Sequence, residues 1–167
     1  MSRGFVKEDD QEEVPMVPPR AHLPAGVPNY VTQAGMDELL AERQALLDEM
    51  KNLDISSENE RRLTVNFITA KLKLLNDRIN ESRIIDIKEQ PPDEIRFGAT
   101  VTIKTEGTGE MQTFQIVGVD ETDPSRGKIS FLSPMARVLT NKKAGDKVVL
   151  KRPKGDQVLE IMRINYC

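Results

Sequence analysis

The sequence contains no tryptophan, one cysteine and one histidine in 167 residues. The single cysteine, Cys167, excludes an internal disulfide framework, and with one histidine it cannot form a Cys/His metal cluster. No apolar run is long enough to span a bilayer, and the N-terminus has no signal-like apolar region. We therefore expect a reduced, cytoplasmic chain with no membrane contact.

The sequence also has no excess of positive charge. Lys and Arg number 24 against 27 Asp and Glu, which gives a net charge of −3. A chain of this charge is not expected to coat nucleic acid by bulk electrostatics, so any such contact must be local. Charged residues make up 31% of the chain and hydrophobic residues 38%, a balance typical of a soluble protein with a modest core.

Residues 1–29 are acidic at first and then rich in proline. Such a segment cannot bury enough apolar surface to offset the entropy of ordering it. The composition predicts a disordered or extended solvated tail. His22 lies in this tail without catalytic partners, and we assign it no role.

Residues 30–87 contain two runs in which apolar residues recur at steps of three and four, as expected for a coiled-coil seam. The first run contains Met36, Leu39, Leu40, Leu46, Leu47, Met50 and Leu53, and the second contains Val65, Ile68, Leu72, Leu75 and Ile79. The repeat lapses between Asp54 and Arg62, which indicates an antiparallel helical hairpin.

The ends of the two helices carry local signals. Thr32 is expected to cap the first helix, which should run to Leu53. Ser57 followed by Glu60 fits a capping box for the second helix, which should end near Arg83. The β-branched run at 84–87 is expected to be extended.

Residues 88–94 are predicted to be a linker, because two consecutive prolines, Pro91 and Pro92, cannot continue a helix. From residue 95 to 167 the apolar period becomes that of strands. Strands are predicted over 100–104, 113–117, 128–132, 147–151 and 158–164, with a short helix after Ser133-Pro134. The predicted fold class is α+β: a helical hairpin followed by a small antiparallel sheet domain with one short helix.

Several blocks of the second domain occur in an order and spacing that resemble one family. They are Phe97–Thr102, Ile116–Asp123, Ile129–Leu139 and Gly145-Asp146. The chain resembles bacterial transcription elongation factors of the GreA/GreB type, densely from Phe97 to Tyr166 and more loosely over the hairpin. The resemblance implies that the hairpin is a coiled coil and that the sheet domain is FKBP-like.

The resemblance also implies a function. In this family the sheet domain docks at the rim of the secondary channel of bacterial RNA polymerase, and the coiled coil enters the channel. Acidic residues at its tip help to hold the second catalytic Mg²⁺, so that backtracked RNA is hydrolysed. The chain would then be no enzyme itself. It would have no cofactor of its own beyond this shared Mg²⁺, would meet nascent RNA only within the polymerase complex, and would be a monomer.

The candidate tip residues are Asp54, Glu58, Glu60, Arg61 and Arg62, of which Glu58 and Asp54 would be metal ligands jointly with the polymerase. The family's tip usually has the form Asp-x-x-Glu-Asn-Ala-Glu-Tyr. Here Asp54 is one residue too far from Glu58, and Arg61 stands where the aromatic residue is expected. Each arm is also roughly two helical turns shorter than is usual, which is a shortfall on the order of 10 Å.

These carboxylates also fit purely structural roles in the hairpin. Glu60 fits a capping box, and Glu58 would lie in the first helical turn, where the helix dipole favours a negative charge. Asp54 could simply end the first helix.

The candidate docking residues are Asp120, Glu121, Ser133, Pro134 and Arg137. Ser133 and Pro134 have a sufficient structural reason as the start of a helix. Asp120 and Glu121 are less explained by local structure and are therefore the stronger interface candidates.

Three alternatives remain open at the level of sequence. The chain could be a regulator that occupies the channel without promoting cleavage, as the altered tip suggests. It could be a peptidyl-prolyl isomerase, although its aromatic residues Phe97, Phe114, Phe131 and Tyr166 are mostly at core-like positions and fold alone is weak support. A generic coiled-coil adaptor would explain the hairpin but not the blocks of the second domain.

Overall fold

The computed structural model describes residues 14–167. The acidic run of the predicted tail, residues 8–13, lies outside the described residues. The hairpin unit contains β1 (Asn29–Val31), α1 (Gln33–Lys51), α2 (Glu58–Glu81) and β2 (Ser82–Ile84). The sheet domain contains β3 (Thr100–Thr105), β4 (Met111–Val117), β5 (Lys128–Ser130), α3 (Pro134–Leu139), β6 (Lys147–Leu150) and β7 (Gln157–Asn165). Over the described range, none of the helices has the length and apolar character that a membrane span requires.

Both predicted N-caps are present in the hairpin, although the Glu60 side chain makes no return bond to the Ser57 amide among the described contacts, so the predicted capping box is only half formed. The Thr32 hydroxyl accepts a hydrogen bond from the Gly35 amide at 3.0 Å, and the Ser57 hydroxyl accepts one from the Glu60 amide at 3.4 Å. The helix ends differ slightly from the prediction. Helix α1 ends at Lys51 instead of Leu53, and α2 ends two residues before Arg83.

The predicted seam is confirmed except at Val65, which does not belong to the buried cluster, and the seam is narrow. Helices α1 and α2 bury a single cluster of apolar side chains, which contains Val31, Leu39, Leu46, Ile68, Leu72 and Leu75. Met36, Met50, Leu53 and Ile79 pack around it. Two members of the predicted first run, Leu40 and Leu47, are instead exposed beside the seam.

A short parallel pairing closes the base of the hairpin. Strands β1 and β2 pair in parallel, with Val31 opposite Ile84. The predicted extended run at 84–87 is only partly correct, because Ile87–Glu89 form a 3-10 turn. This turn also occupies the start of the predicted linker at 88–94.

The second domain is a five-stranded sheet in the order β5-β4-β3-β7-β6. The predicted antiparallel sheet is confirmed for three of its pairs, β3–β4, β3–β7 and β6–β7. It is wrong for β4 and β5, which pair in parallel. The chain crosses over between them through the 3-10 turns Val119–Glu121 and Pro124–Arg126.

Residues 14–28, which we call the strap, have no regular secondary structure but are not free in solvent. Arg20 Nη1 lies 2.8 Å from Glu42 Oε1 of α1, and Arg20 Nε lies 3.2 Å from Asp120 Oδ1 of the sheet domain. The carbonyl of Ala21 accepts a hydrogen bond from Arg78 of α2. The expected solvated tail is therefore wrong around Arg20 and Ala21, which contact the hairpin and the sheet domain, whereas Val14 and Met16 are exposed as expected.

Candidate functional site

The predicted tip residues lie at the turn between α1 and α2. Asp54 is in the connecting loop, and Glu58 and Glu60 are in the first turn of α2. All three side chains are exposed, as are Arg61 and Arg62. The positive end of the α2 dipole favours carboxylates at this position.

The tip lies at the end of the hairpin that is farthest from the sheet domain. The hairpin contacts that domain near the start of α1, at Gly35, and near the end of α2, at Arg78. From Arg78 back to Glu58 the helix rises by roughly 30 Å at 1.5 Å per residue. The hairpin therefore carries its carboxylates roughly 30 Å beyond its contact with the sheet domain.

The tip carboxylates do not form a metal site by themselves. Within residues 14–167, no group of three or more His, Cys, Asp or Glu side chains is arranged to hold a metal ion. A metal-binding role of Asp54 and Glu58 stays a prediction.

The second candidate region is the joint between the hairpin and the sheet domain. Glu121, in the turn after β4, is only 6% exposed. Its Oε2 accepts a hydrogen bond from the Thr32 hydroxyl at 2.6 Å, and its Oε1 lies 3.2 Å from Lys128 Nζ. Because Thr32 also caps α1, this carboxylate ties the start of the hairpin to the sheet domain.

Asp120 forms a second tie at the joint. Its side chain is 5% exposed and lies between Arg20 of the strap and Arg78 of α2, at 3.2 and 3.4 Å. The contact of Arg78 Nε with Asp120 Oδ2 lacks hydrogen-bond geometry. Asp120 Oδ2 and Arg78 Nη1 are both buried without a hydrogen-bond partner among the described residues. The hydrogen bond to Glu42, aided by the nearby charges of Asp120 and Glu42, raises the pKa of Arg20 above its ordinary value in spite of burial.

These contacts correct the argument that made Asp120 and Glu121 the stronger interface candidates. Both side chains are largely buried and have charged or hydrogen-bonding partners within the chain. No local pattern signals these partners, because Arg20, Arg78 and Thr32 are far from both carboxylates along the chain. A contact of either carboxylate with the polymerase stays a prediction.

Close packing at the joint depends on two glycines and one aromatic residue that the sequence analysis missed. A Cβ at Gly118 would lie 2.3 Å from the Tyr30 carbonyl oxygen, and one at Gly35 would lie 2.7 Å from Glu121 Oε2. The Tyr30 ring packs against Phe97 and Phe131, with centroids 5.9 and 5.6 Å away. These three residues are needed because neighbours from distant parts of the chain approach them closely. The sequence alone does not reveal those neighbours.

The remaining docking candidates lie on or beside α3. Ser133 caps this helix by accepting from the Ala136 amide at 3.2 Å, and Pro134 occupies its first turn. Pro134 and Arg137 are exposed, whereas Ser133 is half-buried. Arg137 also borders an open cavity of about 550 Å³ beside the Tyr30 ring.

The aromatic residues considered for an isomerase site all have packing roles. Phe97 and Phe131 contact each other and Tyr30. Phe114 packs on the sheet core. The Tyr166 hydroxyl accepts from the Arg96 amide and donates to the Glu94 carbonyl.

Comparison with known proteins gives consistent matches. A family model described as "Transcription elongation factor, GreA/GreB, C-term" matches residues 90–166. Transcription elongation factor GreA of Rhodospirillum rubrum is 32% identical over 158 residues, covering 93% of this chain and 99% of that protein. GreA of Thioalkalivibrio sulfidiphilus is 37% identical over 152 residues, covering 81% and 96%.

Solved structures also align with the chain. The GreA/GreB factor from Nitrosomonas europaea covers 89% of this chain and all of its own, with 18% identity and a TM-score of 0.42. GreA factor homolog 1 (Gfh1) of Thermus thermophilus covers 81% of this chain and 97% of its own, with 23% identity and a TM-score of 0.40.

Proposed function

The chain belongs to the GreA/GreB family of transcription elongation factors, and on that premise we propose that it acts on bacterial RNA polymerase through the secondary channel. The sheet domain docks at the rim of the channel, and the hairpin enters with its tip first. One observation carries the proposal: the exposed carboxylates lie at the end of a narrow two-helix arm that is remote from the sheet domain.

The proposed role of the tip is to add oxygen ligands to a Mg²⁺ ion that the polymerase holds. Mg²⁺ prefers carboxylates and water in a near-octahedral shell, and a two-metal site clamps both oxygens of a phosphoryl displacement. Glu58 is the foremost candidate ligand and Asp54 the second. The polymerase carries out the hydrolysis of backtracked RNA, and the factor, a monomer in this proposal, meets nascent RNA only in the complex.

Reach is the main constraint on this role. Mg²⁺ accepts ligands at about 2.0–2.1 Å, so an arm that is too short by even one helical turn cannot place a carboxylate on the ion. An arm two helical turns shorter than the family's, as the sequence predicts, would require the sheet domain to dock deeper than is usual in the family. The exposed side chains of Pro134 and Arg137 on α3 are the candidates to make that contact, whereas Asp120 and Glu121 set the direction of the hairpin.

A second candidate function is regulation of the channel without RNA cleavage. It is favoured by the exposed pair Arg61 and Arg62, which follows Glu58 in the first turns of α2. Two positive charges beside the carboxylates weaken the local negative potential that attracts a metal ion. The same charges would suit contact with phosphate groups or acidic polymerase surface.

Release of RNA from backtracked complexes distinguishes the two functions. We expect the chain to accelerate release of the 3′ fragment, and Glu58→Ala to slow it on the order of tenfold or more through loss of a ligand. Glu81→Ala, which removes an exposed carboxylate at the other end of the same helix, is the matched control and should leave release unchanged. Polymerase binding without accelerated release would establish the regulator instead.

Binding itself is tested by co-purification with RNA polymerase from the same organism. The GreA protein of Rhodospirillum rubrum serves as the positive control factor. Absence of binding by this chain, while the control factor binds, would contradict both functions.

A further inference from the structure

Arg20 of the strap connects the arm formed by α1 and α2 directly to the sheet domain. Its Nη1 and Nη2 atoms donate to the two carboxylate oxygens of Glu42 on α1, at 2.8 and 3.1 Å. Its Nε donates to Asp120 Oδ1 of the sheet domain at 3.2 Å. All three nitrogens of one planar guanidinium group are therefore used, two on the hairpin and one on the sheet domain.

This contact differs from an ordinary surface ion pair, which contributes little. The pairing of Arg20 with Glu42 is a two-point fork, the geometry in which an arginine–carboxylate contact is strongest and most directional. The Asp120 side chain is only 5% exposed, so solvent screens its contact weakly. The Glu42 side chain is 45% exposed, so we expect the contact to fix geometry more than to add stability.

The strap presents Arg20 from a stiff segment that is held on both sides. Pro18 and Pro19 come immediately before it and restrict the backbone to extended conformations. Such a segment loses less entropy when it is ordered than a segment without proline. On the other side, the Ala21 carbonyl accepts a hydrogen bond from Arg78 of α2. The arginine is therefore not a side chain on a loose tail.

A turn connects this arginine to the base of the hairpin. The Val27 amide donates to the Pro24 carbonyl at 3.2 Å, and Gly26 between them has a φ of 79°, which favours glycine. The next residues enter β1, where Asn29 is 1% exposed. The strap is thus fixed to the base of the hairpin at one end and to α1 at the other.

The position of Glu42 gives this contact control over the tip of the hairpin. Glu42 lies roughly 15 Å along α1 from Thr32, which is about half the length of the arm. If the hairpin were held only at its base, a tilt of about 10° would move the end of a roughly 30 Å arm by about 5 Å. Ligands of Mg²⁺ must lie within tenths of an ångström of about 2.0–2.1 Å. The direction of the arm therefore decides whether a tip carboxylate can reach the ion.

We propose that Arg20 is a positioning residue for the arm: by holding Glu42 and Asp120 together, it fixes the direction in which the hairpin leaves the sheet domain. The expected effect on RNA release rests on the proposed function. The effect on the direction of the arm does not, because it is a property of the free protein. Lysine cannot replace Arg20, since a single ammonium group lacks the planar fork that meets both carboxylates.

Distances between spin labels measure the direction of the arm in the free protein. One label is attached at Lys51→Cys, at the exposed end of α1, and the other at Gln112→Cys, on β4, in a chain with Cys167→Ser. Arg20→Lys is expected to widen the distribution of label distances about twofold or more. A label pair within the sheet domain, at Gln112→Cys and Lys151→Cys, should keep its width.

Two carboxylates on α1 provide a matched comparison. Glu42→Ala removes the partner of Arg20 and should widen the distribution as Arg20→Lys does. Glu38→Ala makes the same change one turn away, in an exposed pair with Arg126 at 4.0 Å, and should leave the width unchanged. An unchanged width in Arg20→Lys overturns the proposal, as does equal widening by Glu38→Ala and Glu42→Ala.

Release of RNA from backtracked complexes tests the consequence for function. With saturating factor, Arg20→Lys should slow release of the 3′ fragment several-fold. The factor concentration that gives half the maximal rate should change less than about twofold, because the tip and α3 are unaltered.

The two measurements together separate this proposal from the proposed function. Widened distances with unchanged release, where Glu58→Ala slows release, overturn the positioning role. If Glu58→Ala also leaves release unchanged, the proposed metal-binding role of the tip fails. In that case the widened distances still support Arg20 as the residue that fixes the arm.

Discussion

At the scale of single residues, the carboxylate of Asp120 lies between two guanidinium groups that come from the strap and from α2. Three segments that are distant in sequence therefore share one buried negative charge. A buried ion pair adds little net stability by itself, but removing one partner leaves the others uncompensated. The role of Asp120 is thus to fix how the segments meet.

We predict that Asp120→Asn lowers the free energy of unfolding by roughly 2–4 kcal/mol, because the largely buried Arg78 loses its counter-charge and Arg20 keeps only Glu42. Asp77→Asn makes the same chemical change in an exposed i,i+4 pair with Lys73 and should cost less than about 0.5 kcal/mol. Urea denaturation of both variants measures the difference. Equal effects would show that Asp120 is not a structural tie.

Tyr166 gives a prediction that depends on pH. Burial raises the pKa of Tyr166 above its ordinary value, against the lowering effect of the Arg96 contacts. The folded state therefore favours the neutral phenol, so its contribution to stability is complete below the unfolded pKa of about 10 and is lost as pH rises through the folded value.

We accordingly expect Tyr166→Phe to be less stable than the natural chain by about 1–2 kcal/mol near neutral pH, since the Arg96 amide and the Glu94 carbonyl lose a partner. The difference should shrink above a pH of about 10. Urea titrations at both pH values measure it. A difference that stays constant with pH would mean that the phenol does not titrate as described.

Residue-scale prediction from sequence succeeds where the cause is local. The caps at Thr32, Ser57 and Ser133 could be identified because each acts on an amide three residues away. The tie at Glu121 could not, because its partner Thr32 is 89 residues distant. From the sequence alone, a carboxylate with such a distant partner cannot be distinguished from an exposed surface carboxylate. Its partner is identified only once the fold is known.

At the scale of elements, the hairpin depends on a narrow seam with few buried residues. Leu75 is fully buried in this seam, whereas Leu47 is 44% exposed beside it. The two leucines thus differ in burial while belonging to the same hairpin.

We predict that Leu75→Ala lowers the free energy of unfolding by about 2–5 kcal/mol, through lost burial and the resulting cavity. Leu47→Ala should cost less than about 1 kcal/mol, because much of its side chain already meets water. Thermal or urea denaturation of the two variants checks this. A comparable loss in both would contradict the assignment of the seam.

Element-scale prediction from sequence follows the strength of the periodic signal. The strands of the sheet domain and the helix at Pro134–Leu139 lie close to where the pattern predicts them. The parallel pairing of β4 with β5 was missed, because strand direction after a crossover is decided by the connecting turns. The three-residue pair β1–β2 is too short to produce a pattern of its own.

At the scale of the whole molecule, the hairpin is held to the sheet domain by a buried joint and extends away from it. The ties from Glu121 to Thr32 and from Asp120 to Arg78, together with the aromatic packing of Tyr30, all lie at the base. The direction of the arm is therefore set at one end, while the candidate metal-binding carboxylates lie at the other. This arrangement suits the proposed function, in which the tip carboxylates enter a channel that the sheet domain cannot enter.

The most direct test is photo-cross-linking from the turn of the hairpin in backtracked polymerase complexes. A photo-reactive residue in place of the exposed Ser56 is predicted to react with the RNA 3′ end or the polymerase active site, while one at Arg137 reacts with the outer rim of the secondary channel. Reaction from Ser56 only with outer polymerase surface, with the Arg137 cross-link intact, would contradict the account.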